Sequence, residues 1–241
     1  GDRFADADQA SAAITSRYLD SNGRELARVS LGQIHYFADR RVSLSNPLQA
    51  WIPRYSPVSD TSALAAEFAF SLGRNWQLSS DGQWNEDSGE IDEGNFRLRY
   101  QADSDHILNL NYRYRQLVNS PLFILPPGID PRIKQTDLSG VWPLGQRWKL
   151  LARWNYDHAN GRNLESFAGV EYSNCCTTIR LVAREWVDEN ELFVPGVEPQ
   201  RGIFVQFTLH GLGNLTGGGL SNLLQDGIRG FRDTSDNYPV Y

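Results

Sequence analysis

Asn95–Arg115 reads NFRLRYQADSDHILNLNYRYR, and this stretch decides the fold. Phe96, Leu98 and Tyr100 alternate with Asn95, Arg97, Arg99 and Gln101. After a polar break at ADSD, Leu108, Leu110, Tyr112 and Tyr114 alternate with Asn109, Asn111, Arg113 and Arg115. Successive side chains on a strand point to opposite faces, so each half reads as a strand with one apolar and one basic face. A helix, with about 3.6 residues per turn, would scatter both sets around its axis.

The same alternation extends in both directions. ALAAEFAFSL sets Leu64, Ala66, Phe68, Phe70 and Leu72 on one face, and NWQLSSDGQWN sets Trp76, Leu78, Gly82 and Trp84. RWKLLARWNYD aligns Trp148, Leu150, Ala152, Trp154 and Tyr156, and GIFVQFTLHGL aligns Ile203, Val205, Phe207 and Leu209. Such runs predict about eleven strands, near residues 10–20, 24–38, 61–73, 75–86, 94–103, 105–116, 134–144, 146–158, 163–174, 176–188 and 201–212. At about ten residues each they are longer than most soluble strands and match tilted membrane strands.

The predicted connections alternate between tight turns (DSNG, LGRN, ADSD, PLGQ, SNC) and wider ones (39–60, 86–93, 116–134, HANGR, 188–200). An up-and-down sheet with tight turns on a periplasmic rim and long loops outside has this parity, whereas a Greek-key sandwich has no reason to keep it. The expected fold is all-β: an antiparallel up-and-down transmembrane β-barrel, of which this chain is a C-terminal portion. Bacterial single-chain barrels close with an even strand number, and an odd count fits a fragment. The expected division is barrel over 1–212 and a C-terminal periplasmic tail over 213–241.

Composition agrees. The 241 residues carry a formal charge of −6, with 22% charged and 40% hydrophobic residues, which argues against disorder. No apolar run approaches the roughly 20 residues of a spanning helix, and no signal peptide opens the chain. Met is absent, even at position 1, so the sequence is expected to begin within a longer polypeptide or after processing. Trp76, Trp84, Tyr100, Trp148, Tyr156 and Tyr172 fall near strand ends, as aromatic girdles do.

The only cysteines, Cys175 and Cys176, are adjacent at a predicted turn in VEYSNCCTTIRL. Adjacent α-carbons lie about 3.8 Å apart, short of the roughly 4.4–6.8 Å of a relaxed disulfide. Either both thiols are free or both have partners this chain does not contain. The turn parity places them on the periplasmic rim, where disulfides persist.

GDRFADADQ, VSLGQIHYF, LNLNYRYR, GVWPLGQRW, GVEYSNCCTTIRL and GIFVQFTLHGLG together resemble the C-terminal part of the LptD family, the outer-membrane lipopolysaccharide assembly proteins. The likeness spans essentially the whole chain, and the paired cysteines followed by an Arg are its most specific element. It implies a non-enzymatic translocon that assembles lipopolysaccharide into the outer leaflet of a Gram-negative cell outer membrane, releasing it through a lateral gate between the first and last barrel strands. The implied partners are an LptE-like lipoprotein plug in the lumen, the N-terminal periplasmic domain and upstream strands of the same polypeptide, a periplasmic LptA-like bridge, outer-membrane lipid and the barrel-assembly machinery, with no nucleic acid. It further implies a disulfide bond from each of Cys175 and Cys176 to upstream cysteines.

QRGIFVQF is similar to the terminal-strand signal read by that machinery, through Gln200, Gly202, Val205 and Phe207, with Ile203 and Leu209 on the same seam strand. Gly202, Gly211 and Gly213 bracket the strand and offer no cross-strand packing; either they weaken the seam or they are turn and interface glycines. Arg97, Arg99, Arg113, Arg115, Arg147, Lys149 and Arg153 are assigned to one basic lumen face. Guanidinium suits phosphate bidentately, although pairing with Glu67, Asp81, Glu165 or Glu171 is the competing role. An outer-membrane porin for small solutes is the alternative function, and a barrel enzyme is more remote. Asp2, Asp6 and Asp8 lack calcium-loop spacing, GLGNLTGGGLSN lacks a P-loop lysine, and no serine–histidine pair stands out. His35, His106, His158 and His210 lack metal spacing, so no catalytic residue, metal or cofactor is assigned.

Overall fold

The computed structural model describes residues 8–38, 59–116, 128–130, 132–188, 191, 194, 196–210, 213–214 and 219–233. The expectations for Asp2, Asp6 and Gly211, and the final residues 234–241, lie outside them. Eleven long strands form one antiparallel sheet in simple chain order: β1 Gln9–Leu19, β2 Glu25–Tyr36, β3 Leu64–Leu72, β4 Trp76–Asn85, β5 Glu90–Gln101, β6 Ile107–Arg115, β7 Ile133–Pro143, β8 Trp148–Asp157, β9 Arg162–Ser173, β10 Thr177–Trp186 and β11 Gln200–Leu209. A two-residue β12, Gly213–Asn214, pairs with Thr208 and Leu209 at the end of β11. The wall is thus an all-β up-and-down sheet, as the alternation predicts, and is consistent with part of a β-barrel. No helix among the described residues is long and apolar enough to cross a membrane.

Register keeps the two faces chemically distinct. Residues directly opposed across a pair share a face. Phe70–Leu78–Leu98–Leu110–Leu138–Trp154 follows the ladder across β3 to β8 on the apolar face. Gln77–Arg99–Asn109–Ser139–Arg153 does the same on the polar face. Large side chains of the apolar face stand in the open: Ile203 is 75% and Val205 58% exposed. At the tight-turn rim Trp76 meets Tyr100 at 4.8 Å and Trp148 meets Tyr172 at 5.0 Å. At the opposite rim Trp154 stacks on Tyr156 at 5.5 Å.

One expectation is corrected. The two medium connections are hairpins as tight as those on the other rim, spanning only 86–89 and 158–161. Gly89 (φ 70°) and Gly161 (φ 64°) supply the left-handed residue that such turns need. Asn85 Oδ1 accepts from the backbone N–H of Asp87 at 2.9 Å, and Asp157 Oδ1 from that of Ala159 at 3.0 Å. The acidic run EIDEG therefore belongs to β5, not to a loop. Its carboxylates lie on the polar face, where Glu93 accepts from Gln83 at 3.0 Å and Asp92 from Asn85 at 3.3 Å.

After β11 the chain forms α1, Gly219–Gly227. Leu220, Leu224, Ile228 and Phe231 recur at helical spacing and cover Ile107, Val141, Leu151, Phe167 and Val182, the apolar side chains on the otherwise polar face. Together they make a small core against the inner side of β6–β10. A Cβ on Gly227 would lie 2.7 Å from the Phe167 ring, so only glycine allows this approach.

Candidate functional site

The basic residues of the polar face sort by partner. Arg97 meets Asp81 at 3.3 Å, Arg115 meets Glu93 at 3.3 Å, and Lys149 meets Asp105 at 2.8 Å and Glu171 at 3.3 Å. Arg153 meets Asp137 at 2.7 Å and Glu165 at 2.6 Å. Arg113 donates to Gln135 at 3.1 Å, and Arg99 donates to Gln101. Arg147 stands in the β7–β8 turn and reaches the Tyr172 hydroxyl at 3.5 Å, toward the apolar side. Pairing with carboxylates thus accounts for four of the seven residues assigned to this face, and Glu67 pairs instead with Arg28 at 2.9 Å.

The strongest polar centre involves a residue the sequence reading left without a role. Arg180 on β10 is only 2% exposed. Its Nε donates to Glu171 at 2.7 Å, and its Nη1 and Nη2 grip Asp233 at 2.6 and 2.8 Å. Nη1 also reaches Gln206 at 2.9 Å and Ser221 at 3.3 Å, and Ser221 in turn donates to Asp233. Buried charges persist only when paired and hydrogen-bonded, and here β9, β10, β11, α1 and the chain beyond it all supply partners. Register sets this guanidinium on the polar face, opposite Glu171 and Gln206; its acidic partner fifty-three positions later has no local signature.

The cysteines occupy a defined turn on the same rim. Asn174 Oδ1 accepts from Cys176 N at 2.9 Å, Thr177 N at 2.8 Å and Thr177 Oγ1 at 3.0 Å. His210 braces the far side: its N–H donates to Cys176 O at 2.9 Å, its Nδ1 contacts Cys175 O at 3.1 Å, and its Nε2 contacts Thr178 Oγ1 at 2.9 Å. Both thiols are exposed and free. The hydrogen bond and the charge of Cys175, with slight burial, hold the Cys176 thiol above its ordinary pKa, so the second thiolate forms reluctantly beside the first.

On β11, Ile203 and Val205 lie on the apolar face, and Gln206 and Thr208 on the polar one. Gly202 sits under the Phe204 and Trp186 rings, and Gln200 donates to Asp188 at 2.6 Å. The stretch Gln200–Gln206 pairs with β10 on one edge and with no described strand on the other. At the opposite end of the sheet β1 pairs only with β2 among the described strands, and it is exposed along its length. Among the described residues no group of His, Cys, Asp and Glu could hold a metal ion.

Comparison with known proteins bears on all of this. The family model described as "LPS transport system D" matches residues 1–148. Proteins named LPS-assembly protein LptD align along 98% of this chain: that of Pseudomonas aeruginosa (strain UCBPP-PA14) at 37% identity, of Ectopseudomonas mendocina (strain ymp) at 35%, and of Pseudomonas putida (strain GB-1) at 34%. The chain spans 27 or 28% of their length. With this identity along the whole chain, and with the sheet and cysteine turn described above, the chain belongs to the LptD family.

Proposed function

We propose that this chain is the C-terminal portion of an outer-membrane β-barrel that assembles lipopolysaccharide into the outer leaflet of a Gram-negative cell, without enzymatic chemistry. The carrying observation is the sheet itself: a wall with exposed aromatics and aliphatics on one face, charges on the other, and outer edges along β1 and Gln200–Gln206 that meet no further strand among the described residues. Unpaired backbone groups cost several kcal/mol each in hydrocarbon, so β1 needs upstream strands and β11 needs the barrel's first strand. Release occurs sideways through that last seam. The glycolipid's acyl chains then enter the bilayer directly while its sugars stay on the charged side.

In this reading the rim that carries the turns 20–24, 73–75, 102–106, 144–147 and 174–176 faces the periplasm, and residues 213–241 form a periplasmic-side segment. Cys175 and Cys176 tie the rim to upstream cysteines and so align an N-terminal periplasmic domain and its LptA-like bridge. An LptE-like lipoprotein fills the lumen. The barrel-assembly machinery reads Gln200, Gly202, Val205 and Phe207 in the terminal strand.

The test uses the full-length protein as the cell's only copy, with a cysteine at Val205 and a scan of cysteines along the first strand. An oxidised seam should stop new lipopolysaccharide from reaching the surface, and reductant should restore it. Undiminished delivery through a crosslinked seam refutes lateral release. Solute uptake that falls while delivery continues would favour a porin.

A further inference from the structure

Arg99 differs from most of its neighbours on the polar face. Arg97, Arg115, Lys149 and Arg153 all meet carboxylates, whereas Arg99 has no acidic partner among the described residues. Its ladder partners are the neutral Gln77 and Asn109. One amino group donates to Gln101, and its Nε–H is buried without an acceptor. A guanidinium offers five donors in a planar fork, and this one leaves most of them unused.

The C-terminal segment brings a second cation to the same place. Asn109 donates to the backbone carbonyl of Arg229 at 3.0 Å. Gly230 packs so closely on Arg99 that a Cβ there would meet Nη2, and its φ of 92° turns the chain across the guanidinium. Arg229 is exposed, also lacks an acidic partner among the described residues, and directly precedes Gly230, the residue packed on Arg99. Two like charges juxtaposed on a half-buried surface repel unless an anion sits between them. The segment is held there firmly, by the Asp233 grip on Arg180 and by Leu224 and Ile228 in the small core.

We propose that Arg99 and Arg229 form an oxyanion site on the inner wall near the tight-turn rim, completed by the C-terminal segment and suited to a phosphate monoester on a glycolipid headgroup. Paired guanidinium forks match phosphate oxygens bidentately. The assignment of the ligand's source rests on the lipopolysaccharide reading above; the site itself does not.

The test measures binding to the purified full-length protein, with its plug, in detergent. The probes are phosphorylated lipid A, the same lipid dephosphorylated, and inorganic phosphate. Arg99→Gln and Arg229→Gln should each weaken binding of phosphorylated lipid A about tenfold or more, from the loss of a charged hydrogen bond. The double variant should lose little beyond either single one, because both act on one ligand. Arg229→Glu, altering an exposed side chain, should abolish binding while heat-modifiable migration shows the barrel intact. Binding within twofold of wild type in the Arg229 variants overturns the site, as does equal affinity for dephosphorylated lipid A. Inorganic phosphate bound as tightly as lipid A overturns the glycolipid assignment. Because delivery through the seam is read separately, failure of one proposal is distinguishable from failure of the other.

Discussion

Asp233→Ala tests whether the buried ionic centre holds the C-terminal segment on the wall. Arg180, Glu171 and Asp233 are 2, 4 and 4% exposed. Removing one partner of a buried pair costs about 3–5 kcal/mol, because the remaining charge is left without compensation. Glu171 still holds Nε, so the low end applies, about 3 kcal/mol or roughly 150-fold in the ratio of docked to undocked segment. The sheet keeps its own ladders, so the opening is local. Trypsin on the folded full-length protein reads it at the Arg229–Gly230 bond, next to the backbone that Asn109 holds. Cleavage should accelerate by about two orders of magnitude. Asp105→Ala is the control: Asp105 is 39% exposed and Lys149 keeps Glu171, so its cost is about 1 kcal/mol or less. Replacing all three ions, with Glu171→Leu, Arg180→Met and Asp233→Leu, should restore much of the protection, since apolar residues can replace a buried ion triad and Lys149 keeps Asp105. Cleavage of Asp233→Ala within threefold of wild type refutes the latch.

Three further outcomes follow. Leu224, fully buried in the small core, should cost about 2–5 kcal/mol of docking when cut to alanine; tryptic cleavage should rise while heat-modifiable migration of the barrel persists. Under reducing conditions, Cys175→Ala removes the hydrogen bond and charge that raise the Cys176 thiol, so alkylation of Cys176 should titrate at lower pH than the slower thiol of the wild type. In the β5–β6 turn, backbone N–H of Asp105 first, then the His106 ring, hold Asp103 below its ordinary 3.8. A depressed carboxylate contributes stability that is present above the unfolded value and is lost as pH falls through the folded one. Asp103→Asn should therefore flatten the decline of the thermal midpoint below about pH 4.

Alternation made the wall legible because a half-buried strand writes its two faces into every second residue. Phe96 against Arg97 and Leu108 against Asn109 needed no distant information. The hairpin at 86–89 was harder. Glu90, Asp92 and Glu93 have poor strand propensity, yet on a polar face with Asn85, Gln83 and Arg115 opposite they are satisfied partners. The candidate site was legible by residue and not by partner. Six of the seven basic positions fall on the polar face and Arg147 does not, and which of the six meets a carboxylate depends on cross-strand register. The role of Arg180 depends on Asp233, far along the chain. The docking of α1 did leave a trace, since Ile107, Val141, Leu151, Phe167 and Val182 interrupt a face that is otherwise polar. Apolar side chains clustered on a wet face call for a covering element, and Leu220, Leu224, Ile228 and Phe231 supply it at helical spacing.

That covering element bears on where the wall would open under the lateral release proposed above. β11 is tied to β10 along its full length, and from the polar side Gln206 joins Arg180 and Ser221 in one buried network, at 2.9 and 2.8 Å. The opposite edge of β11 carries no such reinforcement among the described residues, and β12 covers only Thr208 and Leu209. A seam opened by the lateral release proposed above would therefore part on the edge of β11 away from β10 rather than between β10 and β11, because the first costs only ladder bonds while the second also strands a buried guanidinium. On this argument, loosening the network with Gln206→Ala should let β11 separate from β10 as well. Disulfide trapping of cysteines at Leu181 and Val205, opposed across that pair, reads the outcome. Its efficiency should fall in the variant, and an unchanged yield would show that the network does not set where the wall opens.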